Sequence, residues 1–142
     1  MITLLVIHAG VTWCLVGLIW VIQVVHYPMF KNVGRENFVA YHERHMALIL
    51  WLVAPLMFVE IGSAVVIFWM GERSMPFCIS LGALFMVWVA TALLQVPLHN
   101  KLTLGYDEIT IDRLVSTNIW RTLAWTLRGV CLSSMLISQF NK

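Results

Sequence analysis

Four long apolar runs, separated by three polar connections, set the pattern of the chain. The runs cover about residues 3–25, 46–69, 77–97 and 117–139. Each has the ~20 mostly apolar residues that an α-helix needs to cross the hydrocarbon of a bilayer. The connections read KNVGRENFVAYHER, GERSMP and HNKLTLGYDEITIDRL. The runs do not alternate with period two, so membrane strands are excluded, and helices satisfy their own backbone in lipid. The pattern predicts an all-α fold: an integral membrane four-helix bundle in a single domain over residues 1–142. The first run lacks a basic leader and a small-residue cleavage site, so it reads as a retained helix rather than a signal peptide.

Composition strengthens this picture. Hydrophobic residues make up 61% of the chain, charged residues 11%, and mean hydropathy is +0.86. A soluble domain carries roughly 25% charged residues, so lipid is the expected solvent and a multi-pass position in the inner (plasma) membrane the expected location. Basic residues orient the bundle. Lys31, Arg35, Arg44, Lys101 and Arg113 lie in the first and third connections, against Arg73 and Lys142 on the other side. The positive-inside rule puts those two connections in the cytoplasm and both termini outside. The net charge of +2, with no basic run, excludes nucleic acid as a partner. Cys14, Cys78 and Cys131 sit in apolar runs without metal-type spacing and read as small membrane-buried hydrophobes.

The polar residues then stand out by their placement. His26 ends the first helix, His42 and His45 in YHERH open the second, and His99 ends the third. All four therefore reach one membrane level. Gln23 and Gln95 lie about one turn deeper. A helix starting near Phe38 puts His42 and His45 on one face, with Glu43 rotated roughly 100° away, where it could orient an imidazole or cap the helix. The helix ends QVVHYP and QVPLHN echo one another. In the fourth run, Asn118, Arg121, Trp125 and Arg128 fall within roughly an 80° arc. Arg128 sits deep enough to require a partner. Glu60 is one candidate, as an ion pair fixing helix register; a bound anion such as a carboxylate or haem propionate is the other. His8 stands alone near the outer end, as a structural histidine or an axial ligand.

Imidazoles with few carboxylates suit haem, copper or zinc better than magnesium or calcium. Di-iron carboxylate chemistry lacks its glutamates. Hydrolase and phosphate-loop motifs are missing. Haem b, or a transition metal held by His26, His42, His45 and His99, is therefore the expected cofactor. Inert interfacial histidines are the plain alternative. The stretch IHAGVTWCLVGLIWVIQVVHYPMF resembles the opening helix of HemJ-type protoporphyrinogen oxidases, although the arginine of that family's L-P-R-L-F-V-Y-H run has no counterpart here. The resemblance implies His8 as a haem ligand and matches Asn118 near the fourth helix. QVPLHNKLTLGYD and LVSTNIWRTLAWTLRG are similar to anthrone-oxygenase-like bacterial membrane proteins. The function expected is a membrane oxidoreductase acting on a lipophilic small molecule. In it the four histidines bind cofactor or move protons, Arg121 and Arg128 hold an anionic group, and Asn118, Gln23 and Gln95 orient the site. A proton-coupled transporter or channel, and a structural or assembly subunit, are the rival readings. The bilayer is the obvious partner, and a homo-oligomer fits a chain of this size.

Overall fold

The computed structural model describes residues 1–140 and is built of four long helices, with no strand among the described residues. Lys142, counted above on the outer side, lies outside the described residues. Helix α1 runs over Ile2–Asn32, α2 over Phe38–Trp69, α3 over Met75–Leu102 and α4 over Glu108–Phe140. Helix α2 starts at Phe38, as placing His42 and His45 together on that helix supposes. The helices outrun the apolar segments at several ends: α2 begins eight residues before position 46, and α4 nine before position 117. The reason is physical, since a hydropathy count finds the part that needs lipid, whereas hydrogen bonding continues into the polar flanks until a cap stops it. At α4 that cap is Asp107. It accepts from the Ile109 amide at 3.2 Å and the Thr110 hydroxyl at 2.5 Å, and Lys101 lies 2.6 Å away. The bond from Lys101, then that from Thr110, holds its carboxyl down to about 2.

Three helices, α1, α2 and α3, are long and apolar enough to cross a membrane. Helix α4, the fourth expected span, has the length but is less apolar than the other three. Its pattern is inverted relative to a soluble helix. Asn118, Arg121, Thr122, Trp125 and Arg128 are buried, whereas Trp120, Leu123, Leu127, Val130 and Ile137 are exposed.

Helices α1 and α3 share a local irregularity. Residues Ile22–His26 and Thr91–Gln95 each form one π-turn. Its closing bond runs from the Tyr27 amide to the Ile22 carbonyl in one helix, and from the Val96 amide to the Thr91 carbonyl in the other. In both, the closing residue precedes a proline, Pro28 or Pro97. A proline has no amide to donate and its ring crowds the carbonyl four residues back. One extra residue in the turn relieves that crowding. The echo of QVVHYP and QVPLHN thus has a structural counterpart, and each widened turn carries a glutamine that reaches α4.

Helix α4 is the centre of the packing, lying against α3 and α1, while α2 rests mainly on α1. Trp13 and Trp20 of α1 donate to Ser133 and Thr126 of α4, each at 3.0 Å. Between them Gly129 lets the helices close, and a Cβ there would lie 3.0 Å from the Trp13 ring. Small residues serve this purpose in membrane helices, where close packing replaces the hydrophobic effect. Because the Trp13 indole is tied to Ser133, we expect Gly129→Ala to cost about 1–3 kcal/mol. Gly17→Ala, with nothing within 4 Å of its Cβ, should be neutral or slightly stabilising. Unfolding of both variants in mixed detergent micelles checks this.

Candidate functional site

Two buried polar networks lie along the bundle. The deeper one gathers all four helices around Glu60. Its carboxylate accepts from Thr12 at 2.9 Å, Trp125 at 3.1 Å and Arg128 Nε at 3.1 Å. Arg128 also donates to the Ser80 carbonyl at 2.6 Å and faces His8 Nε2 at 3.3 Å. The Ser63 hydroxyl donates to the Val59 carbonyl at 2.6 Å, so His8 Nδ1, 2.7 Å from Ser63 Oγ, must be the donor. His8 is then neutral, with Nε2 accepting from Arg128. The alternative left open by the sequence is resolved: Arg128 pairs with Glu60. His8 has both ring nitrogens engaged. The axial-ligand role implied by the HemJ-type resemblance would break one of these bonds or both.

The second network lies where α1 and α3 end and α2 begins. His26, His42, His45 and His99 do converge there, as their positions in the helices predict. They converge as hydrogen-bonded pairs. His26 Nε2 lies 2.8 Å from His45 Nδ1, and His42 Nε2 lies 3.0 Å from His99 Nδ1. Tyr27 completes the second pair, its hydroxyl 2.9 Å from His99 Nε2. Arg121 lies beside the Tyr27 oxygen and donates to Asn118 Oδ1 at 3.1 Å. A guanidinium offers only donors, so the tautomer that leaves the phenol hydrogen bonded is the one in which it goes to His99 Nε2. That makes His99 Nδ1 the donor to His42 Nε2, and leaves the proton of His42 on Nδ1. The chain Arg121–Tyr27–His99–His42 therefore has a direction. Phe38 stacks on the His42 ring and Phe30 packs edge-on against His26, His42 and His45, which seals the cluster.

The remaining expected residues serve these chains. Gln23 donates to the Val115 carbonyl at 3.1 Å and accepts from Asn118 at 2.9 Å, and Gln95 donates to Thr117 at 3.0 Å. Trp125 joins the two networks, since its indole bonds Glu60 and its ring lies 5.1 Å from the Arg121 guanidinium. Glu43 is exposed and gives the cluster no hydrogen bond among the described residues. Tyr27, Thr12 and Ser63 were not foreseen. Only Tyr27, beside His26 in the repeated helix end, left a trace in the sequence.

The metal expectation for His26, His42, His45 and His99 finds no support in this geometry. Among the described residues no group of three or more His, Cys, Asp or Glu side chains is arranged to hold an ion. Two imidazoles on one tetrahedral zinc, at about 2.0–2.1 Å each, hold their nitrogens roughly 3.3 Å apart with both lone pairs inward. The pairs here are closer and share a proton. Two ring nitrogens of the cluster, His42 Nδ1 and His45 Nε2, are buried without a partner, as are Gln95 Oε1 and Arg121 Nε.

Gln95 and Arg121 adjoin one largely apolar space and His45 another. A cavity of about 160 Å3 between the helices is lined by Tyr27, Gln95, His99 and Arg121, with Val53 and Met57 opposite. A cleft of about 470 Å3 between α1 and α2 is bordered by His26 and His45 among leucines and isoleucines. Ile22 borders both. No protein-family model, curated protein or solved structure matches the chain.

The Glu60–Arg128 pair yields a direct stability test. Glu60→Met or Arg128→Met alone leaves a buried unpaired charge and should cost about 3–5 kcal/mol. The double variant should recover much of the folded yield, read by monodispersity and unfolding in detergent.

Proposed function

We propose that the protein is a membrane-embedded oxidoreductase site for a lipophilic small molecule, in which the Tyr27–His99–His42 chain takes or gives the proton that accompanies electron transfer. One observation carries this reading: a directed, buried imidazole chain begins at the wall of a largely apolar cavity and ends at an unpartnered ring nitrogen. Oxidation of a hydroquinone-type lipophile by an external electron acceptor, such as ferricyanide, passes two electrons to that acceptor and releases two protons, and such a chain is suited to receive the protons. Histidine is the side chain that exchanges protons most readily near neutral pH. The likeness of α1 to HemJ-type proteins points to the same reaction class. We assign no step to haem or metal, because the facing ring nitrogens share a proton and no group of three or more ligands is arranged to hold an ion among the described residues.

In this reading α4 also spans the membrane, since its exposed face is apolar throughout its middle. The histidine end faces the cytoplasm by the positive-inside rule, with Lys31, Arg35, Arg44, Lys101 and Arg113 at that end and Arg73 at the other. Lys31 pairs with Asp112 at 2.6 Å, tying α1 to the start of α4 at that end.

A second reading, proton-coupled transport, is favoured by the loose seating of α2. That helix packs mainly on α1, and a gap of about 280 Å3 separates it from α3. Movement of α2 would open the histidine cluster to one side.

Protein in lipid nanodiscs, supplied with decyl hydroquinone and ferricyanide, separates the readings. Oxidation above the rate of empty nanodiscs is expected, and His99→Gln or His42→Gln should lower it about 10²–10⁴-fold. No acceleration, together with uptake of the hydroquinone into proteoliposomes driven by a pH gradient, would replace the oxidoreductase reading with transport.

A further inference from the structure

The two buried arginines of α4 are not equivalent. Arg128 has its charge matched by Glu60. Arg121, 7% exposed, has no carboxylate partner among the described residues, and its neighbours are amide, phenol and indole groups. The other six acidic residues are Glu36, Glu43, Glu72, Asp107, Glu108 and Asp112, none of which belongs to the membrane core of the bundle. A cation inside a membrane costs at least ~2.5–3.5 kcal/mol unless something neutralises it. Arg121 Nε, moreover, is buried with no hydrogen-bond partner, and so is Gln95 Oε1 across the same cavity.

We propose that Arg121 is the binding site for a single oxyanion, carboxylate or phenolate, borne on an apolar body. The guanidinium supplies the counter-charge and the Nε–H a hydrogen bond, while Val53 and Met57 meet the apolar part. The cavity of about 160 Å3 holds a head group and a few carbons, so the rest of the molecule extends along the gap beside α2 toward lipid. Gln95 sits with an acceptor unsatisfied, which favours a ligand that also carries a hydroxyl. The inference depends on the oxidoreductase reading only for calling this occupant a substrate; the anion site stands on Arg121 itself. A phospholipid of net negative charge also carries an oxyanion on an apolar body and is the second source.

Thermal unfolding in phosphatidylcholine nanodiscs, at mildly alkaline pH, tests it with laurate and methyl laurate. Laurate should raise the midpoint saturably, because a ligand of the native state stabilises it by mass action. Its neutral ester should not. Arg121→Gln should weaken laurate about 10- to 100-fold, and Arg121→Lys should retain part of the effect. Equal stabilisation by acid and ester, or full retention in Arg121→Gln, overturns the proposal. If Arg121→Gln does not fold, the wild type decides. Saturable quenching of tryptophan fluorescence by chain-brominated laurate, reversed by laurate and not by its ester, supports the site, and reversal by both overturns it. Suppression of the laurate response by added phosphatidylglycerol also supports an oxyanion site, and assigns its occupant to the lipid. Laurate binding with no hydroquinone oxidation defeats the oxidoreductase reading alone; oxidation without laurate binding defeats this inference alone.

Discussion

A carboxylate and a guanidinium buried in the middle of an apolar bundle must meet, and the meeting of Glu60 with Arg128 fixes how the four helices face one another. Glu60 comes from α2 and Arg128 from α4, Thr12 and His8 from α1, and the Ser80 carbonyl from α3. Lipid offers no hydrophobic drive to bring helices together, so polar contacts and packing have to set their rotation. Once these groups are satisfied, the heights and azimuths of the helix ends follow. The histidines reach their places partly for that reason.

The paired π-turns add the second constraint. By widening α1 and α3 just before Pro28 and Pro97, they let Gln23 and Gln95 bond α4. Tyr27, the residue that closes the first turn, lies within reach of His99 on α3. Irregular turns of this kind are often found at functional sites. Here they mark the boundary between a deep network whose groups nearly all have partners and a shallower one with several that do not. That contrast separates structure from chemistry in this molecule. The deeper network reads as a fastening, the shallower one as a place for a ligand.

Much of this was legible in the residue order, though not all of it. The four apolar runs follow from hydropathy, and a start of α2 near Phe38 is what placing His42 and His45 together on that helix supposes. The convergence of four histidines follows from counting helix ends, whereas matched depth made Glu60 only one of two candidate partners for Arg128. What escaped was rotation. Helices α1, α2 and α3 are apolar nearly all round, so no polar stripe announces which face is buried. Thr12 and Ser63 therefore gave no sign of their partners. Whether the histidines bond one another or a metal is decided by differences of less than an ångström in nitrogen spacing, which residue order does not encode. Helix α4 differs from the other three in that its buried face is polar, which lowers its apolarity as a whole.

The central claim is that the histidines form a directed proton chain rather than a ligand set, and side-chain 15N chemical shifts of histidine-labelled protein in bilayers test it most directly. They distinguish a protonated ring nitrogen from an accepting one and from one bound to metal. The account predicts His99 and His42 both protonated on Nδ1, with His99 Nε2 shifted as the acceptor of the Tyr27 hydroxyl and the shift lost in Tyr27→Phe. Protonation of His99 on Nε2, or metal-type shifts at His42 and His45, would contradict it.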